Sequence, residues 1–407
     1  MQSSKTYEER QFEHQSMFEK EHQYFFHTYK RLSLDIERGE GCHLIARDGK
    51  RYLDLFGGLA VNALGYNHPR VKKAIHDQLE KYTHLSNYYV QEPQVRLAER
   101  LIKISGYKKL FFSNSGTEAI EGALKLARKW GKPQGKTQLF GLSNSFHGRT
   151  MGALSLTERP KYREGYEPFL PNVGHMKFND VQDLRMNVND QTLGVVLEFI
   201  QGEGGINVVS KEFASELVSL QLKHGFLIIA DEIQAGIGRT GKFFGFEHFG
   251  VRPDIAVIAK AIGGGLPLGA FLGNERVEDV LSYGVHGTTF GGNPVACAAG
   301  VAVLDEVLHY GLMKNAEEIG NAIKSGAENL KKEFPQLLRD VRGFGCMMGI
   351  ELAMDGQPVV DAMQSRGILI NCTNTTVLRL LPPLNLEKKH CEEFLQNLRE
   401  VLQTISK

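Results

Sequence analysis

Phe226 to Gly265 reads FLIIADEIQAGIGRTGKFFGFEHFGVRPDIAVIAKAIGGG, and the fold turns on this stretch. Two short apolar runs, FLIIA and DIAVIA, are rich in Ile and Val and bounded by turn formers. Runs of that kind are buried on both faces and mark parallel strands of an α/β protein. Each ends in a charge: Asp231 follows the first and Lys260 the second, 29 residues on (260 − 231 = 29). In an open parallel sheet the C-terminal strand ends frame one crevice where ligands bind, so a carboxylate and an amine are expected to share it. Either residue alone would also serve as a strand-end charge facing water. The pair, with Gly263, Gly264 and Gly265 following, favours a site.

Burial disfavours an ammonium, which lowers the lysine pKa and frees the amine to attack a carbonyl as a Schiff-base lysine. Pyridoxal phosphate asks for such a lysine at its aldehyde and an acid at its ring nitrogen, because a protonated pyridinium is the better electron sink. The same stretch also carries GIGRTG, Gly236–Gly241, which matches a dinucleotide fingerprint and, extended to Lys242, nearly a phosphate-binding P-loop. Both readings fail on context. Phe243 stands where a P-loop needs Ser or Thr for magnesium, and the glycine-broken KFFGFEHFG offers no helix at the glycines.

A chain of 407 residues, 42% hydrophobic and 23% charged, has ordinary globular composition and length for more than one domain. A net charge of +1 and the absence of any basic run argue against nucleic acid or a membrane surface as partner. The opening MQSSKTYEERQFEHQ lacks the order of a signal peptide, so the protein is expected in the cytosol. Five cysteines, Cys42, Cys297, Cys346, Cys372 and Cys391, show no metal or redox spacing and read as small core residues. Residues 1–38 read as a surface helix and arm. Its histidines, His14, His22 and His27, lack the i, i+4 spacing of metal ligands, and no metal site is expected.

HLIARDGKRYLDL, after Cys42, has the form of a hairpin around Asp48-Gly49. In KKLFFSNSGTEAIEGALKLARKWG, LFF is a strand. Ser115 and Glu118 form a capping box that opens a helix closed by Gly131. Strand, small-residue turn and helix N-terminus present free N–H groups suited to a phosphate; a plain capped connection has the same form. Phe146, His147 and Arg149 follow the next strand. There an aromatic can stack on a flat ring or fill core, and an arginine can grip a carboxylate or make a surface ion pair. Glu198 ends a further strand, with Gln201 and Glu203 in the loop beyond it, and VHGTTFGGNP suits close backbone approach to a ligand. From about residue 310 the texture changes to charged amphipathic helices around short strands. There Arg379, alone in the apolar VLRLLP, needs an ion-pair partner or a ligand.

Taken together, SNSGTEA, SFHGRT, EFIQGEGG, ADEIQAGIGRTG, AKAIGGGLPLGA, HGTTFGGNP and LRLLPP resemble the class III (omega) aminotransferases of the fold-type I pyridoxal phosphate family. The resemblance runs from about Gly39 to the C-terminus, and GGLAVNALGYNHP, EPQVRLAERL and SFHGRT tilt it toward the branch acting on N-acetylornithine. It implies an α/β fold whose large domain, 61–300, holds a mostly parallel seven-stranded sheet between helices. The C-terminal small domain is 301–407, and residues 1–60 supply an arm and part of that domain.

Residue by residue, the resemblance implies Lys260 as Schiff-base lysine and proton shuttle, and Asp231 as ring-nitrogen partner. Gln234 would meet the ring hydroxyl and Phe146 would stack on the ring, with His147 and Ile233 completing the cofactor's surroundings. Ser115, Gly116 and Thr117 would hold the phosphate, joined by Thr289 of a neighbouring subunit in a homodimer with a shared active site. Arg149 and Arg379 would receive carboxylates, Glu203 would mask Arg379, and Thr288 would lie near the substrate. The implied reaction is ping-pong transfer of a terminal amino group from an omega-amino donor to 2-oxoglutarate. One departure stands out: Phe199 occupies the family's proline position in EFIQGE, while Gly58 replaces the tyrosine of ornithine enzymes and leaves room for an N-acyl group. Succinylornithine, ornithine, 4-aminobutyrate and putrescine remain open as donors, as does an aminomutase.

Overall fold

The computed structural model describes residues 16–406, so His14 lies outside the described residues. They fall into two units that divide after Ile36. In the first, the Met17–Tyr24 helix is capped by Ser16, whose hydroxyl accepts from the Glu19 amide at 3.2 Å. It buries none of its residues, and the rings of His22 and His27 stack at 4.1 Å.

The second unit, from Glu37 onward, is built on a seven-stranded sheet. Its strands, numbered in chain order within the sheet, are β1 (Lys109–Ser113), β2 (Gln138–Leu142), β3 (Val173–Met176), β4 (Thr192–Leu197), β5 (Leu227–Asp231), β6 (Ile255–Ile258) and β7 (Gly269–Gly273). Their order is β1-β7-β6-β5-β4-β2-β3, and β7 alone runs against its neighbours. The two apolar runs of the opening stretch are therefore adjacent parallel strands, with Ile229 opposite Ile255. Every residue of β5 and β6 is buried because both sheet faces are covered. Ile228, Ala230, Ala256 and Ile258 join one core cluster; Leu227, Ile229, Ile255 and Val257 join the other. Period-2 alternation thus feeds two helical layers rather than one core and solvent.

Around this sheet, the hairpin forms as expected from His43–Ala46 and Arg51–Asp54, with Gly49 at φ +87° in its turn. Its second strand pairs in parallel with Ile368–Leu369, so early and late parts of the chain share a sheet. A further antiparallel sheet holds Leu338–Phe344, Met347–Leu352, Val377–Leu380 and Asn371–Thr373. The helices Leu312–Glu333 and Lys388–Ile405 pack on one another beside it, each with one apolar stripe.

Two local expectations are corrected. Ser115 Oγ does accept from the Glu118 amide, at 3.3 Å, but the Glu118 carboxylate reaches past it to Asn114 N, 2.7 Å away, so the reciprocal half of the capping box is displaced by one residue. Gly131 is the last residue of the Gly116–Gly131 helix without being its stop signal. The chain continues into a 3-10 turn, Lys132–Gln134, and leaves through left-handed Gly135. Gly131 is small because an added Cβ would lie 2.2 Å from Leu193 Cδ1.

A strained turn places one wall of the site. Gly57, Gly58, Leu59 and Ala60 all have positive φ, between +58° and +68°, although two of them carry a Cβ. Left-handed backbone costs about 1–2 kcal/mol for such residues, so the turn must be held from outside. Asp54 does this. Its buried carboxylate accepts from Phe56 N at 2.8 Å, Gly57 N at 3.0 Å and the Tyr66 hydroxyl at 2.5 Å. The next residue, Val61, lines the cavity described below.

Candidate active site

The C-terminal ends of β1, β2, β4, β5 and β6 meet around a cavity of about 510 Å³. Its lining brings together Ser115, Gly116 and Thr117 after β1, Phe146, His147 and Arg149 after β2, Glu198 and Glu203 after β4, Asp231, Ile233 and Gln234 after β5, and Lys260 after β6. One edge collects residues up to 145 positions apart (260 − 115 = 145) because parallel connections return these strands in the same direction.

At the floor, His147 Nδ1 lies 2.7 Å from Asp231 Oδ2, with both side chains shielded from solvent. The other carboxylate oxygen accepts from Ile233 N at 3.1 Å. Burial opposes the charged imidazole, but the hydrogen bond and charge of Asp231 outweigh it, and the His147 pKa is raised. His147 Nε2 is buried without a partner among the described residues. Beside this pair, Glu198 accepts from Phe146 N and Gly202 N, both at 3.1 Å, so one carboxylate ties the loop carrying Phe146 to the loop carrying Glu203. Burial raises its pKa to about 7. Sequence reading placed Glu198 at a strand end without giving it this task.

Lys260 opens a 3-10 turn in left-handed conformation, φ +52°, a strained geometry for a residue with a Cβ. Burial brings its pKa down to about 8, with Arg379 pushing the same way and Glu203 opposing. The isolated Arg379 of the sequence is 1% exposed and ion-paired to Glu203, with Nε donating to Asn371 Oδ1 at 3.1 Å. Burial pushes the Glu203 carboxyl up, but Arg379 more than compensates and holds it below its ordinary value. Gln234 Oε1 lies 3.5 Å from Arg379 Nη1. Arg149 makes no ion pair among the described residues. Its guanidinium sits 4.0 Å from the Tyr162 ring centroid and 5.5 Å from that of Phe146, at the exposed mouth.

Ser115 caps the Gly116–Gly131 helix, and the first-turn amides of Gly116 and Thr117 have no intrahelical acceptor, leaving the positive end of the helix open to the cavity. Thr288 and Thr289 are not in this cavity. They line another hollow with Asn87, Tyr88 and His286, where the Thr288 hydroxyl accepts from Gly291 N at 3.1 Å. Phe199, in the proline position, is buried in an aromatic cluster, its ring 5.5 Å from that of Phe249 and 6.2 Å from that of Phe246. Packing there holds the loop entry where a proline ring would restrict it through φ.

A half-buried amine of lowered pKa, a carboxylate fixed by two hydrogen bonds, an aromatic face and an open helix N-terminus on one cavity make a donor set that fits pyridoxal phosphate, its aldehyde, ring nitrogen, ring face and phosphate respectively. A family model, aminotransferase class-III, matches residues 24–402. The acetylornithine aminotransferases of Aquifex aeolicus and Methanocaldococcus jannaschii are each 42% identical to this chain. They align over 93% and 95% of it, and over 100% and 98% of their own lengths. Among solved structures, ornithine aminotransferase from Toxoplasma gondii superimposes with TM-score 0.92 at 29% identity, covering 99% of both chains. Acetylornithine aminotransferase from Elizabethkingia anophelis does so with TM-score 0.86 at 31% identity, covering 95% of this chain and 98% of the other. The chain belongs to the class III aminotransferase family. It is a pyridoxal-phosphate-dependent transaminase of fold type I.

Proposed function

We propose that this enzyme moves the terminal amino group of N-acetylornithine, or a closely similar omega-amino donor, to 2-oxoglutarate, yielding a semialdehyde and glutamate. The observation that carries the reading is the buried Arg379–Glu203 pair beside Lys260. A masked guanidinium lets one cavity take a donor with no carboxylate beside its reacting amine and then a dicarboxylate acceptor. The names of the 42% identical relatives support the donor.

When bound, pyridoxal phosphate supplies an aldehyde that captures the amine and a ring that delocalises the electrons left when a proton departs. Lys260 Nζ, with a pKa near working pH, would take the proton from the donor carbon and return it in the second half-reaction. Asp231, held by His147 and Ile233 N, would keep the ring nitrogen protonated, and Gln234 would meet the ring hydroxyl. Phe146 would pack on the ring, while Ser115, Gly116 and Thr117 would receive the phosphate with Thr289 of the partner subunit. Thr288 would lie near the substrate. Arg149 would hold the donor's α-carboxylate, and Arg379, released by Glu203, would join Arg149 in binding the two carboxylates of the acceptor.

This reading needs a homodimer, to which Thr288 and Thr289, lying outside the chain's own cavity, would contribute. We further propose a large domain of residues 61–300 and a small domain of 301–407 with part of 1–60, in a cytoplasmic protein. No single helix among the described residues is long and apolar enough to cross a membrane.

Ranking N-acetylornithine, N-succinylornithine, ornithine, 4-aminobutyrate and putrescine by kcat/KM tests the donor. A lead of more than about tenfold for either of the last two, roughly 1.4 kcal/mol of transition-state preference, overturns it.

A further inference from the structure

GIGRTG, Gly236–Gly241, fits neither nucleotide motif and does not line the cavity, yet it holds a fully buried arginine. Arg239 is 1% exposed. Its Nη1 donates to the carbonyls of Cys346, at 3.2 Å, and Pro382, while Nε and Nη2 find no partner among the described residues. Its neighbouring ionisable group is the Cys346 thiol, which burial pushes up to about 12, so it supplies no anion. Burial pulls the guanidinium down to about 10. A buried cation without a counter-ion is expensive, and an apolar side chain of that length would avoid the cost.

What Arg239 does is join two segments that lead away from site residues. Its own carbonyl accepts from Cys346 N at 2.8 Å, so side chain and backbone grip the same turn. That turn is shaped to receive them: Gly345 stands at φ +52°, and a Cβ there would lie 2.6 Å from the Thr240 carbonyl carbon. His248 stacks on Phe344 with centroids 4.2 Å apart and hydrogen-bonds the Thr240 carbonyl. Pro382 comes three residues after Arg379, and Gln234 five residues before Arg239.

We propose that Arg239 is a positioning residue: it latches the β5–β6 connection, which carries Gln234, to the segment leaving the Arg379 strand, and so sets the geometry of the acceptor end of the cavity. The inference rests on the reading of Arg379 as a receptor of an acceptor carboxylate. Methionine in place of Arg239 keeps the unbranched apolar stem and removes both carbonyl contacts; lysine keeps a donor nitrogen.

The test uses holoenzyme and three variants, Arg239→Met, Arg239→Lys and Gly345→Ala, the last pushing the same contact apart from the opposite side. In Arg239→Met, KM for 2-oxoglutarate is expected to rise about tenfold while the donor half-reaction at saturation and the cofactor dissociation constant, read by absorbance, stay within about twofold. Arg239→Lys should recover part of the loss, and Gly345→Ala should repeat the selective pattern. Equal loss in both half-reactions, or a lowered Tm with unchanged kinetic constants, overturns the latch. Should Arg239→Met not fold, the other two variants decide it. Wild-type enzyme that fails to accept 2-oxoglutarate sinks the reading of Arg379 and the latch together. Wild-type acceptance without a selective effect in the variants sinks the latch alone.

Discussion

His147 Nδ1 and Asp231 Oδ2 stand 2.7 Å apart with neither side chain open to water. Nδ1 is thus the donor, and the carboxylate has its orientation set before any ligand arrives. Because the folded pKa of His147 is raised, the pair's stabilisation is fully present below the unfolded value of about 6.5 and disappears as pH climbs through the folded one. His147→Asn keeps a donor and loses the charge. Its deficit in apo-protein Tm should be largest near pH 5–6 and shrink above that range. A deficit independent of pH would mean that the imidazole is neutral throughout.

Glu198 carries the opposite sign. Burial raises its carboxyl to about 7 against roughly 4.3 when unfolded, so wild-type protein loses stability relative to Glu198→Gln as pH rises from about 4.5 to 7, with no further change above. Glutamine also presents an N–H where a carboxylate oxygen accepted from Phe146 N or Gly202 N. Turnover at pH 7 should therefore fall about tenfold through loosening of both loops. Tm profiles of the two proteins that run parallel from pH 4 to 8 would contradict the assignment.

Lys260 is a destabilising residue in the absence of cofactor. With its folded pKa near 8 against about 10.4 unfolded, the penalty is complete below pH 8 and is relieved by about pH 10.4. Lys260→Met should raise the Tm of the apo-protein at pH 7, show little effect at pH 10.5, and lower turnover at least about a thousandfold. Mass spectrometry after borohydride reduction should locate the cofactor on a peptide containing Lys260 in wild type alone.

The Arg379–Glu203 pair should prove strongly coupled. Glu203→Gln leaves a buried guanidinium without its anion, a loss of about 3–5 kcal/mol, whereas adding Arg379→Met removes the stranded charge and returns part of that stability. Urea unfolding of the two single variants and the double variant measures it. Additive losses would show that Arg379 has other support, from Asn371 for instance.

Much of the site was legible in the chain because it sits where short buried strands end. Asp231, Lys260, Ser115, Phe146 and Glu203 each follow an apolar run or open a helix, and all of them line one cavity. The hydrogen-bonding partners were not legible. Nothing in the local sequence of Glu198 says that its two oxygens will bind amides from two loops 56 residues apart (202 − 146 = 56). GIGRTG was set aside as a nucleotide motif on sound grounds, yet the place of Arg239 between Cys346 and Pro382 depends on contacts more than a hundred positions away.

Apolar periodicity, turn residues and strand-end charges belong to the chain, and they were enough to specify a parallel α/β sheet with an amine and an acid on its carboxyl edge. Charge state and orientation belong to the folded molecule. The pKa of Lys260, the grip of Asp231 by His147 and the masking of Arg379 by Glu203 all arise from burial and from partners brought near only by packing. Desolvation and hydrogen-bond geometry are properties of the surroundings, and the surroundings exist only once the sheet has closed around them.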